Sequence, residues 1–310
     1  MPLTLEQYAE DYLPKRGLPW PAAPTVVPKK AKSAIARLPV RAVMWNVYGT
    51  LLAVPKGELI FEPEIDFVYD AALDKLIQEF KMWQSMSRKP GAPAAYMKEL
   101  YKKAYDTVRL TSAEVISEKI WEDVYKKLLQ KEYVYDQGMF GPPAEYVKKI
   151  AYFFHASIQG CGAYPGAAEA VKLVSETMKV NGLLADGQCF TPAQIHKCFR
   201  EQDPSFDVNR EFPVNLRILS AEKKAKKPSD VLFKSAIEAL KSRGIAANET
   251  LHVGSSIPRD IAPAKKLGFR TALFVGDKAS LTATVEQLKD PATKPDIMLT
   301  ELTQIHDAIG

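Results

Sequence analysis

Seven polar residues sit where a chain of this pattern places its chemistry: Asn46, Tyr48 and Thr50; Asp186; Lys227; and Ser255 with Asp260. They bring together an amide, hydroxyls, one ammonium and two carboxylates. Such a set can hold a small anionic molecule, because an ammonium and preorganised donors stabilise negative charge in a dry site. Each residue also has a plainer reading. Asn46 can cap backbone groups in a loop. Lys227 can be the last of the solvated run Lys223-Lys224-Ala225-Lys226-Lys227, although Pro228, at a natural first helical position, favours a lysine that faces a pocket. Asp260 can sit at a helix N-terminus, stabilised by the dipole, and line a pocket as well. Asp186 precedes Gly187, and Asp-Gly is a common turn. The four histidines, His155, His196, His252 and His306, show no metal-ligand spacing, and His252 reads as a core residue on a buried strand.

The elements that must position these residues follow from periodicity. Arg41 to Trp45 is an apolar run ending at Tyr48-Gly49-Thr50, a buried strand feeding a loop. Strands are expected again at Gly182–Ala185, Leu216–Ser220, Leu251–Gly254, Thr271–Val275 and Ile297–Thr300. Between them lie a helix after Tyr164-Pro165-Gly166, closed by Asn181-Gly182, and a helix over Pro228–Arg243. This alternation predicts a parallel sheet covered on both faces, with its ligand at the carboxyl ends of the strands. Residues 58–160 carry helical spacing alone, over Ile65–Trp83, Ala94–Leu110, Ser112–Gln130 and Pro143–Ile158. In the third of these, Ile116, Ile120, Val124 and Leu128 recur every fourth residue, with Trp121 widening the stripe. The expected organisation is a Pro-rich N-terminal arm over 1–40, a three-layer Rossmann-like α/β core over 41–57 plus 161–310, and an inserted all-helical cap over 58–160.

Four segments at the strand ends together resemble the signature of the haloacid dehalogenase-like hydrolase superfamily. Trp45-Asn46-Val47-Tyr48-Gly49-Thr50-Leu51 resembles an apolar strand ending in D-x-D-G-T-L. Leu183-Leu184-Ala185-Asp186-Gly187 stands where a strand normally ends in Thr/Ser-Asn, and is the weakest of the four. Lys227-Pro228 resembles the lysine segment, and His252-Val253-Gly254-Ser255-Ser256 through Asp260 resembles H-V-G-D-S-x-x-x-D. They occur in the superfamily's order across residues 42–275. The resemblance implies a covalent mechanism in which the first carboxylate attacks phosphorus or carbon. In the phosphatases of that family the second aspartate is acid and base, and acidic residues of the fourth segment hold magnesium.

This chain departs from that pattern. Asn46 occupies the nucleophile position, Tyr48 the acid/base position, Ser255 the first metal carboxylate and Ala185 the anion-holding hydroxyl; Thr50, Lys227 and Asp260 are as the family has them. Tyr48 and Ser255 match the metal-free 2-haloacid dehalogenase branch, which keeps an aspartate nucleophile and has a tyrosine where Phe233 stands. The resemblance therefore implies a hydrolase by descent, impaired or inactive because a neutral amide is a poor nucleophile: a pseudoenzyme that binds a small anionic ligand or a protein partner. Two alternatives remain: an active hydrolase of 2-haloacids or phosphate esters, and a purely structural protein with a filled cleft. No cofactor and no metal are expected, magnesium entering only under the phosphatase alternative.

Composition fits this picture. The chain has 310 residues, 46% hydrophobic, with 42 basic and 37 acidic residues for a net charge of +5. The sharpest basic clusters, Lys29-Lys30-Ala31-Lys32 and Lys223 to Lys227, lack the aromatic interleaving of a nucleic-acid binder. Cys161, Cys189 and Cys198 show no C-x-x-C spacing, which fits a reducing compartment. Neither a signal peptide nor a membrane-length apolar run is visible, so a cytoplasmic protein with no nucleic-acid or membrane partner is expected.

Overall fold

Ala42-Val43-Met44-Trp45 is apolar without alternation, the pattern of a strand covered on both faces. It forms the strand β1 (Ala42–Trp45), and all four side chains are buried. The computed structural model describes residues 1–29, 31–86 and 92–309; Lys30 of the first lysine cluster lies outside them. The further strands among the described residues are β2 (Leu52–Ala53), β3 (Gly162–Ala163), β4 (Val180–Ala185), β5 (Arg217–Leu219), β6 (Thr250–Gly254), β7 (Arg270–Phe274) and β8 (Ile297–Leu299). Six of these form one sheet in the order β5-β4-β1-β6-β7-β8, and every neighbouring pair is parallel. β2 and β3 make a separate antiparallel pair. The chain steps outward from β1 in both directions, so strand order reverses at the sheet centre. In open α/β sheets that is where the ligand crevice forms.

Alternate residues of each strand enter different cores. Val43 and Trp45, with Leu183, Ala185, Leu251 and Val253, pack under the helix Ala167–Glu176. Ala42, Met44 and Leu184 pack on the other face under Leu232, Phe233, Ala236 and Leu240 of the helix Asp230–Lys241. This is a three-layer α/β arrangement.

Of the boundaries that differ from the sequence reading, two bear on the elements around the site. Asn181-Gly182 does not close the preceding helix; that helix ends at Thr177, and Met178 takes the left-handed conformation at φ 58°. Asn181 lies inside β4, buried, where its Oδ1 accepts from Trp45 Nε1 at 2.8 Å and its Nδ2 donates to the Val171 carbonyl at 2.9 Å. A buried amide with both ends satisfied sits well in a strand. Nor does Pro228 open the following helix: Ser229 is its N-cap and Asp230 its first residue.

The chain divides into two units, residues 1–22, 60–160 and 188–194 in one, and 23–59, 161–187 and 195–310 in the other. The first contains the helices Asp66–Glu79, Ala92–Thr111, Ser117–Leu129 and Pro143–Ile158. Ile116, Ile120, Trp121, Val124 and Leu128 are all buried in it. Trp121 and Tyr101 both pack on Phe154, at centroid distances of 5.1 and 4.7 Å. The residues read from sequence as one arm are shared between the units. Helical turns over residues 5–16 bury Leu5, Tyr8 and Leu13 in the helical unit. The Pro-rich stretch after Ala22 counts with the sheet unit, where Ala34 pairs antiparallel with Met298 of the edge strand β8. No described helix is long and apolar enough to cross a membrane.

Candidate functional site

The loops after β1, β4, β5 and β6 converge on Lys227. Its backbone N–H donates to Asp186 Oδ1 at 2.8 Å, which fixes the lysine loop to the end of β4. The neighbouring loops are tied as well: Ser220 Oγ accepts from Gly187 N at 3.0 Å, and Ala221 N donates to the Gly187 carbonyl at 3.1 Å. The Lys227 side chain, 4% exposed as a residue, then reaches under the end of β1. Its ammonium donates to Asn46 Oδ1 at 2.8 Å, to the Leu184 carbonyl at 3.4 Å, and to Asp260 Oδ1. An ammonium has three hydrogens, and each has a protein acceptor.

Asn46 extends the sheet ladder by donating its N–H to the Val253 carbonyl at 2.8 Å. Its Nδ2 donates to the Tyr48 carbonyl at 2.9 Å and to Thr50 Oγ1 at 3.3 Å. The amide orientation is therefore unambiguous, with the oxygen toward the ammonium and the nitrogen toward carbonyl and hydroxyl. Gly49, at φ 80°, takes the conformation glycine favours, and a Cβ there would lie 2.9 Å from Ser255 Oγ. Ser255 thus closes against the loop that carries Asn46, Tyr48 and Thr50, all of them buried.

Asp260 is held from three sides. Oδ2 accepts from the N–H groups of Ser255 and Ser256 at 3.1 and 3.0 Å, while Oδ1 faces Lys227. Burial alone would push its carboxyl up; the Lys227 ammonium reverses this and holds it well below the usual carboxylate range. For Asp186 burial prevails over Lys227 and raises the carboxyl. Gly254 makes the arrangement possible, because a Cβ there would stand 2.4 Å from Asp260 Cβ and Cγ.

The structure therefore brings Asn46, Thr50, Lys227, Ser255, Asp260 and, through its backbone contact, Asp186 into one cluster; Tyr48 contributes its carbonyl. Sequence reasoning left three participants without a role. The Leu184 carbonyl and Gly254 carry no side-chain signal. His252, read as a core histidine, is fully buried with Nδ1 2.9 Å from the Met44 carbonyl, yet its Nε2 stands 3.7 Å from Asp260 Oδ1 and lacks a hydrogen bond. Among the described residues, no group of three or more His, Cys, Asp or Glu is arranged to hold a metal ion.

Residues 224–305, which carry Lys227 and Asp260, match the family described as HAD-hydrolase-like. This chain is similar to the haloacid dehalogenase-like hydrolases. No curated protein matches it in sequence. Among solved structures, a 2-haloacid dehalogenase from Pseudomonas syringae pv. Tomato DC3000 shares 15% identity, with 86% of this chain and 97% of that chain covered and a TM-score of 0.49. The L-2-haloacid dehalogenase from Xanthobacter autotrophicus shares 15% over 86% and 97%, with a TM-score of 0.42. A HAD phosphatase from Thermococcus onnurineus shares 16% over 86% and 97%, with a TM-score of 0.44.

Proposed function

We propose that this protein is a catalytically degenerate haloacid dehalogenase-like protein that acts by binding rather than by hydrolysis. The observation that carries this reading is the state of Lys227. In a covalent mechanism its ammonium would face an aspartate nucleophile and the incoming group; here the facing residue is the neutral Asn46, and all three ammonium hydrogens are taken by protein oxygens. A neutral amide is a poor nucleophile, and losing a covalent nucleophile costs several orders of magnitude in rate. Thr50 is engaged in the same way, accepting from Asn46. Lys227 and Asp186 then work as ties between loops, and this favours a protein partner over a small anion gripped by Lys227.

The test is turnover. Purified parent protein and an Asn46→Asp variant are assayed on phosphate esters and on 2-haloacids, with and without magnesium. The parent is expected to be silent on both. The variant recreates the carboxylate beside Lys227, and because Tyr48 and Ser255 match the metal-free branch, its activity should appear as halide release, at least about 100-fold above the parent. Turnover by the parent at the level of the variant would sink the degenerate reading.

A further inference from the structure

Asn46, Lys227 and Asp260 are a carboxamide, a primary amine and a carboxyl group in one buried cluster. An amine and a carboxamide condense to a secondary amide with loss of ammonia once the amine is deprotonated and held at the carbonyl carbon. In water this is slow. Held in place the same pair gains an effective concentration on the order of 10⁵–10⁸ M. Lys227 Nζ lies 2.8 Å from Asn46 Oδ1. A carbonyl bond is about 1.23 Å long, so Nζ is within roughly 4 Å of Cγ. A rotation about the end of the lysine chain converts the in-plane hydrogen bond into approach on the carbon.

We propose that Asn46 and Lys227 become joined by an amide between Nζ and Cγ, formed by the protein itself with Asp260 carrying the proton. This modification is independent of whether the site binds a partner. The Lys227 ammonium first passes a proton to Asp260 Oδ1. The freed lone pair forms the Nζ–Cγ bond as the carbonyl π pair moves onto Oδ1. Collapse breaks the Cγ–Nδ2 bond, and Nδ2 takes a second proton from Nζ and leaves as ammonia. The three hydrogens of Nζ and two of Nδ2 end as one on the new amide, one on Asp260 and three on ammonia. Ammonium, carboxylate and carboxamide thus become amide, carboxylic acid and ammonia, with zero net charge on both sides and no oxidant or reductant needed.

Two features beyond proximity support this. Asn46, Lys227 and Asp260 are 8, 4 and 2% exposed, so little water is present to solvate the ammonium or divert the intermediate. The second is His252. Its Nδ1 faces the Met44 carbonyl, which can only accept, so Nδ1 carries the hydrogen and Nε2 is an acceptor. That acceptor is fully buried, lacks a hydrogen bond, and faces an ionised Asp260 oxygen at 3.7 Å that cannot donate. Orphaned buried acceptors are costly. After the condensation Asp260 is a carboxylic acid, and its hydroxyl supplies the donor that Nε2 lacks.

Intact-protein mass spectrometry of the full unmodified chain, fully denatured, tests the proposal. Its mass should fall short of the sequence mass by one ammonia, and proteolysis should release a branched peptide joining the Asn46 segment to the Lys227 segment. Lys227→Arg, whose guanidinium does not condense in this way, should show the full mass. A full mass for the parent overturns the proposal. So does a deficit that persists in Lys227→Arg, which would assign the lost ammonia to another site such as Asn181-Gly182. If Lys227→Arg fails to fold, the branched peptide decides: its absence from a digest covering both segments overturns the cross-link.

Discussion

Lys227 and Asp260 are each 2% exposed as side chains, and a buried charge is tolerated only when paired and hydrogen-bonded. Relative to the chain that keeps this ion pair without the amide, replacing Lys227 by Met leaves Asp260 ionised and without its cation, so Lys227→Met should cost about 3–5 kcal/mol in urea denaturation. Adding Asp260→Asn removes the orphan charge and should recover more than half of that loss. A double variant no better than the single would show that the charge pair is not what matters. The pH dependence has a definite sign. In the form without the amide the Asp260 carboxyl is held below its unfolded value, so its contribution is present above about pH 4 and is lost as pH falls through the folded value. Asp260→Asn should therefore flatten the acid limb of stability below pH 4. Gly254→Ala is expected to be costly as well, by about 1–3 kcal/mol, since the clashing atoms belong to Asp260, which is fixed at both oxygens. At this scale the sequence was legible where a side chain faces a strand end, as with Asn46, Thr50, Lys227 and Asp260. It was silent where backbone does the work, as with the Leu184 carbonyl, and His252 was opaque because its role depends on which atom its second nitrogen faces.

The elements themselves were readable from period alone. A continuous apolar run became β1, and the four-residue recurrence of Ile116 to Leu128 became the buried face of Ser117–Leu129. Errors arose where a turn-forming pair lies inside a strand. Asn181-Gly182 carries a helix-stop signal, but the buried contacts of Asn181 with Trp45 and Val171 outweigh it. The helical unit also holds a titrating group its sequence does not advertise. His155 on Pro143–Ile158 stacks on Phe190 at 4.9 Å, and burial, opposed by a hydrogen bond with Gln159, pushes it down to about 3. The unfolded chain takes up that proton near pH 6.5; the folded chain does not until about 3. Stability is therefore full above pH 6.5 and is lost between there and pH 3. Between pH 7 and 5 the parent should lose about 2 kcal/mol more than His155→Phe in urea midpoints. Equal losses would mean that the imidazole is hydrated or paired. His252 is lowered by burial in the same direction, so His155→Phe should flatten the curve without abolishing its slope.

Over the whole molecule, the alternation of strands and helices after residue 160 dictated a parallel sheet with its site at the carboxyl ends of the strands, while the strand order, reversing at β1, came from the structure alone. What sequence could not give was the division of the first 40 residues: Leu5 to Leu13 carry a short helical pattern, but the extended proline-rich chain after them has no period to read. Its sheet-side half is held by backbone. Ala34 and Met298 exchange hydrogen bonds at 3.0 and 2.8 Å, Leu38 N donates to the Ala308 carbonyl at 2.8 Å, and Lys278 N donates to the Val27 carbonyl at 2.8 Å. Val27 N also donates to Asp277 Oδ1 at 3.3 Å, and the other oxygen of that buried carboxylate accepts from Tyr164 at 2.6 Å. β8 is the last strand in the sheet order, and an open edge strand recruits other chains. The segment around Ala34 pairs with that edge, so its loss should show first as association. Ala34→Pro deletes one donor and is expected to cost about 1–2 kcal/mol with the oligomeric state of the parent unchanged. Removal of residues 1–36 uncovers the edge and should produce larger species in size-exclusion chromatography with light scattering, increasing with concentration. A truncated chain that elutes in the same oligomeric state as the parent at every concentration would show that β8 protects its own edge, and that the N-terminal stretch contributes stability alone.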